Sequence, residues 1–147
     1  MSADAGRVAL VTGASGGIGS AVAAALGASG HRVAVGYSSG VEAAAKTVGR
    51  IEEAGGVACA VQIQVADAAS VAAAFDDIEQ RWGPVVVLVN AAGVSLDKLT
   101  VQLTLDDWQH TIDTDLTGPF LVTKRALRPM IKARHGRIVN VSSVVAS

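Results

Sequence analysis

An α/β fold, a doubly wound parallel sheet with strand order 3-2-1-4-5, is predicted by three observations. Short β-branched runs alternate with helical stretches along the whole chain, which is the pattern of strand–helix–strand units. Most of those runs are continuously apolar, as strands covered on both faces are. The first run, Val8-Ala9-Leu10-Val11-Thr12, passes through the glycine turn Gly13-Ala14-Ser15-Gly16-Gly17-Ile18-Gly19 directly into an alanine-rich helix. Right-handed crossovers then place a ligand crevice at the carboxyl ends of strands one and four.

The elements follow in order. Strands are expected at 7–12, 32–37, 57–65, 85–90 and 137–142. The first helix, 20–29, ends at Gly30, a residue suited to a left-handed stop; the second, 41–54, ends at Gly55-Gly56; the third, 69–82, ends at Gly83-Pro84,. Thr104 caps a fourth helix whose first turn carries Asp106 and Asp107, and acids there suit the positive end of the helix dipole. That helix is expected to run toward Ala133, with a kink or break at Pro119,.

Composition bounds the function. The 147 residues, half of them apolar, bury one core and make one domain, 1–147,. Twelve basic against 13 acidic side chains leave no basic stripe for nucleic acid,. No apolar run has the length of a membrane span, and no signal core opens the chain,. These features point to a soluble, cytoplasmic protein with a small ligand and no membrane or nucleic-acid partner. Cys59, in the apolar stretch 57–63, is expected to be a buried hydrophobe,. His31, His110 and His135 lack metal-ligand spacing and are expected on the surface or in turns,. Trp82 and Trp108 are expected to anchor packing.

The glycine turn carries the first chemistry. Gly13, Gly17 and Gly19 remove side chains where backbone passes close to a ligand, and the first N–H groups of the helix then form an anion site without a lysine. The spacing is G-x-x-x-G-x-G, neither G-x-G-x-x-G nor a phosphate loop ending in Gly-Lys-Ser/Thr. The second strand ends Val35-Gly36-Tyr37-Ser38-Ser39-Gly40, with no acid to accept hydrogen bonds from a ribose diol. Hydroxyls and N–H groups at Ser38 and Ser39 suit a 2′-phosphate, which favours NADP(H) over NAD(H), although position 16 carries no arginine; the alternative is an ordinary polar turn,. The fourth strand delivers Asn90-Ala91-Ala92-Gly93, small residues along the crevice after a buried amide that must find partners,.

Thr12–Gly19, Asn90–Gly93 and Asn140-Val141-Ser142-Ser143 together resemble the short-chain dehydrogenase/reductase family. The stretch from Gly93 to Leu99, Asp107-Trp108 and Arg134-His135-Gly136-Arg137-Ile138-Val139-Asn140 resemble its 3-oxoacyl-[acyl-carrier-protein] reductases, whose members reduce a β-keto thioester with NADPH. The resemblance implies a Rossmann-type doubly wound parallel sheet and coenzyme contacts from Thr12, Gly13, Ser15, Gly17, Ile18, Gly19, Tyr37, Ser38, Ser39, Val65, Asn90, Ala91, Ala92, Gly93 and Val141. It implies that Ser143 steadies the substrate carbonyl; the competing reading is that Ser142 or Ser143 only ends the strand. It also implies a homotetramer at full length and an acidic acyl carrier protein as partner. The basic cluster Lys132, Arg134, His135 and Arg137 is a candidate dock for that partner, or a solvated helix end.

Several positions depart from the family's pattern. Its catalytic Tyr and Lys fall beyond Ser147, so the resemblance reads as a Rossmann domain truncated after the fifth strand: a piece of a reductase, or a non-catalytic module for nucleotide binding or subunit pairing. An alcohol, sugar or steroid dehydrogenase is the rival within the family. Asp115 stands at the position of the family's proton-relay Asn; if buried it is held neutral, and otherwise it is an exposed helix acid. Gln64 and Val86 replace common aspartates. A sheet covered on one side only is expected to expose apolar surface and to be marginally stable.

Overall fold

The computed structural model describes residues 6–143. Five parallel strands form one sheet in the order β3-β2-β1-β4-β5, as the sequence predicts. They are β1 (Val8–Thr12), β2 (Arg32–Tyr37), β3 (Val57–Gln62), β4 (Val85–Asn90) and β5 (Arg137–Asn140). Registers such as Leu10↔Ala34, Leu10↔Leu88 and Asn90↔Asn140 bring the strand ends to one edge.

Each face of the sheet has its own core, so the expected cover on one side only is not found. On one, Val11, Val33, Val35 and Val89 pack against Ala23 of α1 (Gly17–Ala28) and Ala44 and Ile51 of α2 (Val41–Glu53). The two helices approach closely because a Cβ on Gly27 would stand 2.6 Å from Ile51 Cγ2. On the other face, Leu10 and Leu88 pack with Phe75 and Ile78 of α3 (Ala68–Trp82) and with Val122, Ala126 and Met130 of α5 (Gly118–Ala133). Each of these large side chains contributes about 1.5–3 kcal/mol by leaving water. Arg125 fastens α5 to α3 by two bonds to Glu79, at 3.0 and 2.7 Å, and one to Asp76 at 3.0 Å, while its guanidinium lies 4.9 Å from the Phe75 ring centre.

The structure corrects several boundaries. The first helix begins at Gly17, not residue 20, so Gly17, Ile18 and Gly19 form its first turn. β3 stops at Gln62 because its pairing partner β2 stops at Tyr37, and β5 stops at Asn140 opposite Asn90 for the same reason. The expected fourth helix is interrupted just ahead of Pro119, where the sequence predicts a kink or break, and becomes α4 (Leu105–Ile112), a wide π turn (Asp113–Thr117) and α5. Pro119, the second residue of α5, cannot donate to the carbonyl four residues back, at Asp115; the turn widens there, and Gly118 N–H bonds instead to Asp113 O,.

Individual side chains differ too. His31 is buried and shares a 2.9 Å bond with Ser29, because the β2 entry folds under the end of α1. Trp108 is 58% exposed, since α4 lies off the sheet, whereas Trp82 packs on the core as expected. Cys59 is buried, and burial pushes its thiol pKa up.

Candidate functional site

At the carboxyl edge of β1 and β4 lies a cleft of about 500 Å³, lined by Gly13, Ser15 and Gly16 of the glycine turn, Ser38 and Ser39, Gln64 and Val65, and residues 91–94; Gly17, Ile18 and Gly19 are not among its lining residues. Its floor is main chain. Gly13 adopts φ +66°, and a Cβ there would stand 2.7 Å from Ala91 O and Ala92 N, so only glycine lets the turn and the exit of β4 touch,. A Cβ on Gly19 would stand 2.8 Å from Gly13 C, so α1 also needs glycine there. Gly17 differs, because beyond its own helix a Cβ on it would meet nothing within 4 Å.

The turn is held by a few polar contacts. Thr12 Oγ1 donates to Val89 O (3.4 Å) and accepts from the N–H groups of Ala91 (3.2 Å) and Ala92 (3.3 Å). Ala14 N–H donates to Gly36 O at 2.9 Å, and the buried Thr47 hydroxyl donates to Ala14 O at 3.1 Å. Gly16 is the N-cap of α1 and no side chain caps that end. The orphan N–H groups and the positive end of the dipole therefore face outward, the donor set that a diphosphate needs.

At one end, Tyr37 is half-buried against the core, and Ser38 and Ser39 are exposed. Ser38 Oγ donates to Gln64 Oε1 at 2.8 Å. Val65, 9% exposed, lies against Gly118, where a Cβ would come within 2.6 Å of its Cγ2. At the other end Asn90 is buried, its Nδ2 donating to Thr123 Oγ1 (3.1 Å) and Asn140 Oδ1 (2.8 Å), while Oδ1 has no partner among the described residues. Val141 N–H donates to Asn90 O at 2.9 Å, carrying the chain onward to the exposed Ser143. Asp115 is exposed on the π turn, and its Oδ1 accepts Val94 N–H at 2.8 Å. The premise for a buried, neutral Asp115 is thus absent.

Two lining residues, His110 and Thr114, escape sequence reasoning. They reach the cleft because the chain from 93 to 104 folds back before α4, and nothing in local composition signals that return. The described residues hold no cluster of three metal-ligating side chains, and no helix among them is long and apolar enough to cross a membrane.

A parallel sheet of order 3-2-1-4-5, with a glycine turn leading into an uncapped helix at the carboxyl edge, defines a Rossmann-type protein,. The particular family follows from comparison: the short chain dehydrogenase family matches residues 7–147, and the chain belongs to that family. It is 45% identical over 144 residues to the 3-oxoacyl-[acyl-carrier-protein] reductase of Synechocystis, covering 98% of this chain and 58% of the relative. It is 40% identical over 140 residues to 3beta-hydroxysteroid dehydrogenase 1 of Eggerthella lenta, covering 95% and 54%. A variant of actinorhodin polyketide ketoreductase, solved with NADPH, superposes with a TM-score of 0.89 at 39% identity, covering 95% of this chain and 54% of that one. The chain spans about half the length of the curated relatives it matches.

Proposed function

We propose that this chain is the coenzyme-binding half of an NADPH-dependent oxidoreductase that reduces a 3-oxoacyl thioester carried on acyl carrier protein, in fatty acid or polyketide synthesis. The observation that carries the reading is the contact of Gly13 with the main chain of Ala91 and Ala92 beside the uncapped start of α1. Gly13, Ser15, Gly17, Ile18 and Gly19 would hold the diphosphate, with Thr12 fixing the turn. Tyr37, Ser38 and Ser39 would meet the 2′-phosphate and Val65 the adenine. Asn90 to Gly93 and Val141 would line the ribose and nicotinamide path. NADPH, when bound, supplies the hydride for the keto carbon.

Ser143 would steady the substrate carbonyl as a hydrogen-bond donor. Asp115 occupies the relay position, where an ionised carboxylate accepts but does not donate; its part is to hold the main chain at Val94,. Lys132, Arg134, His135 and Arg137 form the surface we assign to the acidic carrier. The full-length protein is read as a cytoplasmic homotetramer. Support comes from the reductase relative and from the ketoreductase neighbour with its NADPH.

The experiment is a titration of the full-length protein with NADPH and NADH, followed by an assay with an acetoacetyl thioester. Tight NADPH binding and turnover of the thioester are expected; binding without keto reduction would refute the assigned substrate. The steroid dehydrogenase relative favours a second reading, a hydroxysteroid or related alcohol as substrate, which the same assay with a 3-hydroxysteroid distinguishes.

A further inference from the structure

Two glutamines at the exit of β3 grip the loop that follows β2. Gln62 Nε2 donates to Ser38 O at 3.1 Å, and Ser38 Oγ donates to Gln64 Oε1 at 2.8 Å. Gln64 is itself held through its main chain, its N–H donating to Ser70 Oγ at 2.9 Å and its carbonyl accepting Asp67 N–H at 3.0 Å. Ser38 and Gln64 both line the cleft. Among the described lining residues there is no lysine, arginine, aspartate or glutamate, and those at this end, Ser38, Ser39 and Gln64, offer neutral hydrogen bonds.

A serine hydroxyl has one proton to give and two lone pairs with which to accept. While its proton goes to Gln64, Ser38 offers only acceptor capacity to the cleft. A ribose 2′-hydroxyl is a donor and matches that state. A 2′-phosphate is an acceptor and matches only a Ser38 turned away from Gln64. We propose that Gln64 is a coenzyme-selectivity residue: by taking the Ser38 proton it withholds one donor from a 2′-phosphate and so narrows, without reversing, the preference for NADPH. The proposal rests on the reading that the cleft binds a nicotinamide dinucleotide.

The test is direct measurement of dissociation constants for NADPH and NADH on the full-length protein and on Gln64→Ala, Gln64→Glu and the double variant Ser38→Ala with Gln64→Ala. Releasing Ser38 with Gln64→Ala should tighten NADPH about tenfold relative to NADH, the worth of one hydrogen bond to a charged group. Gln64→Glu retains the acceptor and adds like charge, and should shift the ratio toward NADH. The double variant should lose the gain of Gln64→Ala. A Gln64 that only shapes the loop would change both constants by one factor in every variant, and an unchanged ratio overturns the proposal while leaving the coenzyme reading intact. Failure of the unsubstituted protein to bind either coenzyme overturns that reading itself.

Discussion

The Asp115 carboxylate accepts the Val94 amide hydrogen at 2.8 Å, joining the π turn ahead of α5 to the strand exit that follows Asn90-Ala91-Ala92-Gly93. A helix that kept α geometry through Pro119 would carry Asp115 at another angle, so the widened turn and this contact belong together. Gly93 lies against the same carboxylate, with room for a Cβ only 3.4 Å from Oδ1.

Asp115→Ala should therefore loosen the segment after Gly93. Hydrogen exchange is the measurement: the Val94 amide should exchange about tenfold faster, in keeping with one lost bond to a charged acceptor. Asp115→Asn keeps an acceptor oxygen and should retain most of the protection. Equal exchange in all three proteins would show that the carboxylate does not secure the loop.

Asp107 gives the start of α4 an acid-sensitive brace. It closes a capping box with Thr104 and accepts from Lys98 Nζ at 2.8 Å; the Lys98 hydrogen bond, then those from Thr104, lower its pKa from 3.8 to about 2. A carboxyl with a depressed folded-state pKa stabilises fully above its unfolded value and loses that contribution as pH falls through the folded one. Wild type should accordingly melt above Asp107→Asn at pH 6, with the gap shrinking from pH 4 to pH 2. A gap independent of pH across that range would contradict this.

Leu127, Ile131 and Phe120 on α5, with Val139 and Val141 around the end of β5, expose apolar surface that ranges from 39% for Val141 to 72% for Ile131. Exposed patches of this kind drive association. The 147-residue chain should show concentration-dependent self-association in sedimentation, and a Leu127→Glu, Ile131→Glu pair should reduce it. A monomer at every concentration would count against the patch.

Much of this architecture was legible in the sequence, because strands buried on both faces are apolar throughout and Gly30, Gly55 and Gly83, all at positive φ, punctuate the helices. The ends of β3 and β5 were not, since pairing partners rather than local composition terminate them. Ile63 and Val65 remain buried and apolar beyond the last rung of the ladder, which disguises the stop. The glycine turn and the small residues after Asn90 could be placed beforehand because close main-chain approach demands those residue types. The bond from Ser38 to Gln64, 26 positions apart, and the arrival of His110 and Thr114 at the cleft depend on tertiary placement that no spacing records.

Gly17 offers the sharpest test of the bare-turn cradle. Outside its chain neighbours and the backbone of its own helix, no atom lies within 4 Å of where its Cβ would be, and its φ is not left-handed, so packing gives no reason for glycine there. In the full-length protein, Gly17→Val should leave the unfolding transition close to wild type while weakening NADPH at least tenfold, because the added side chain fills the space before the α1 amides. A variant that folds normally and binds the coenzyme with unchanged affinity would contradict the assignment of that turn to the diphosphate.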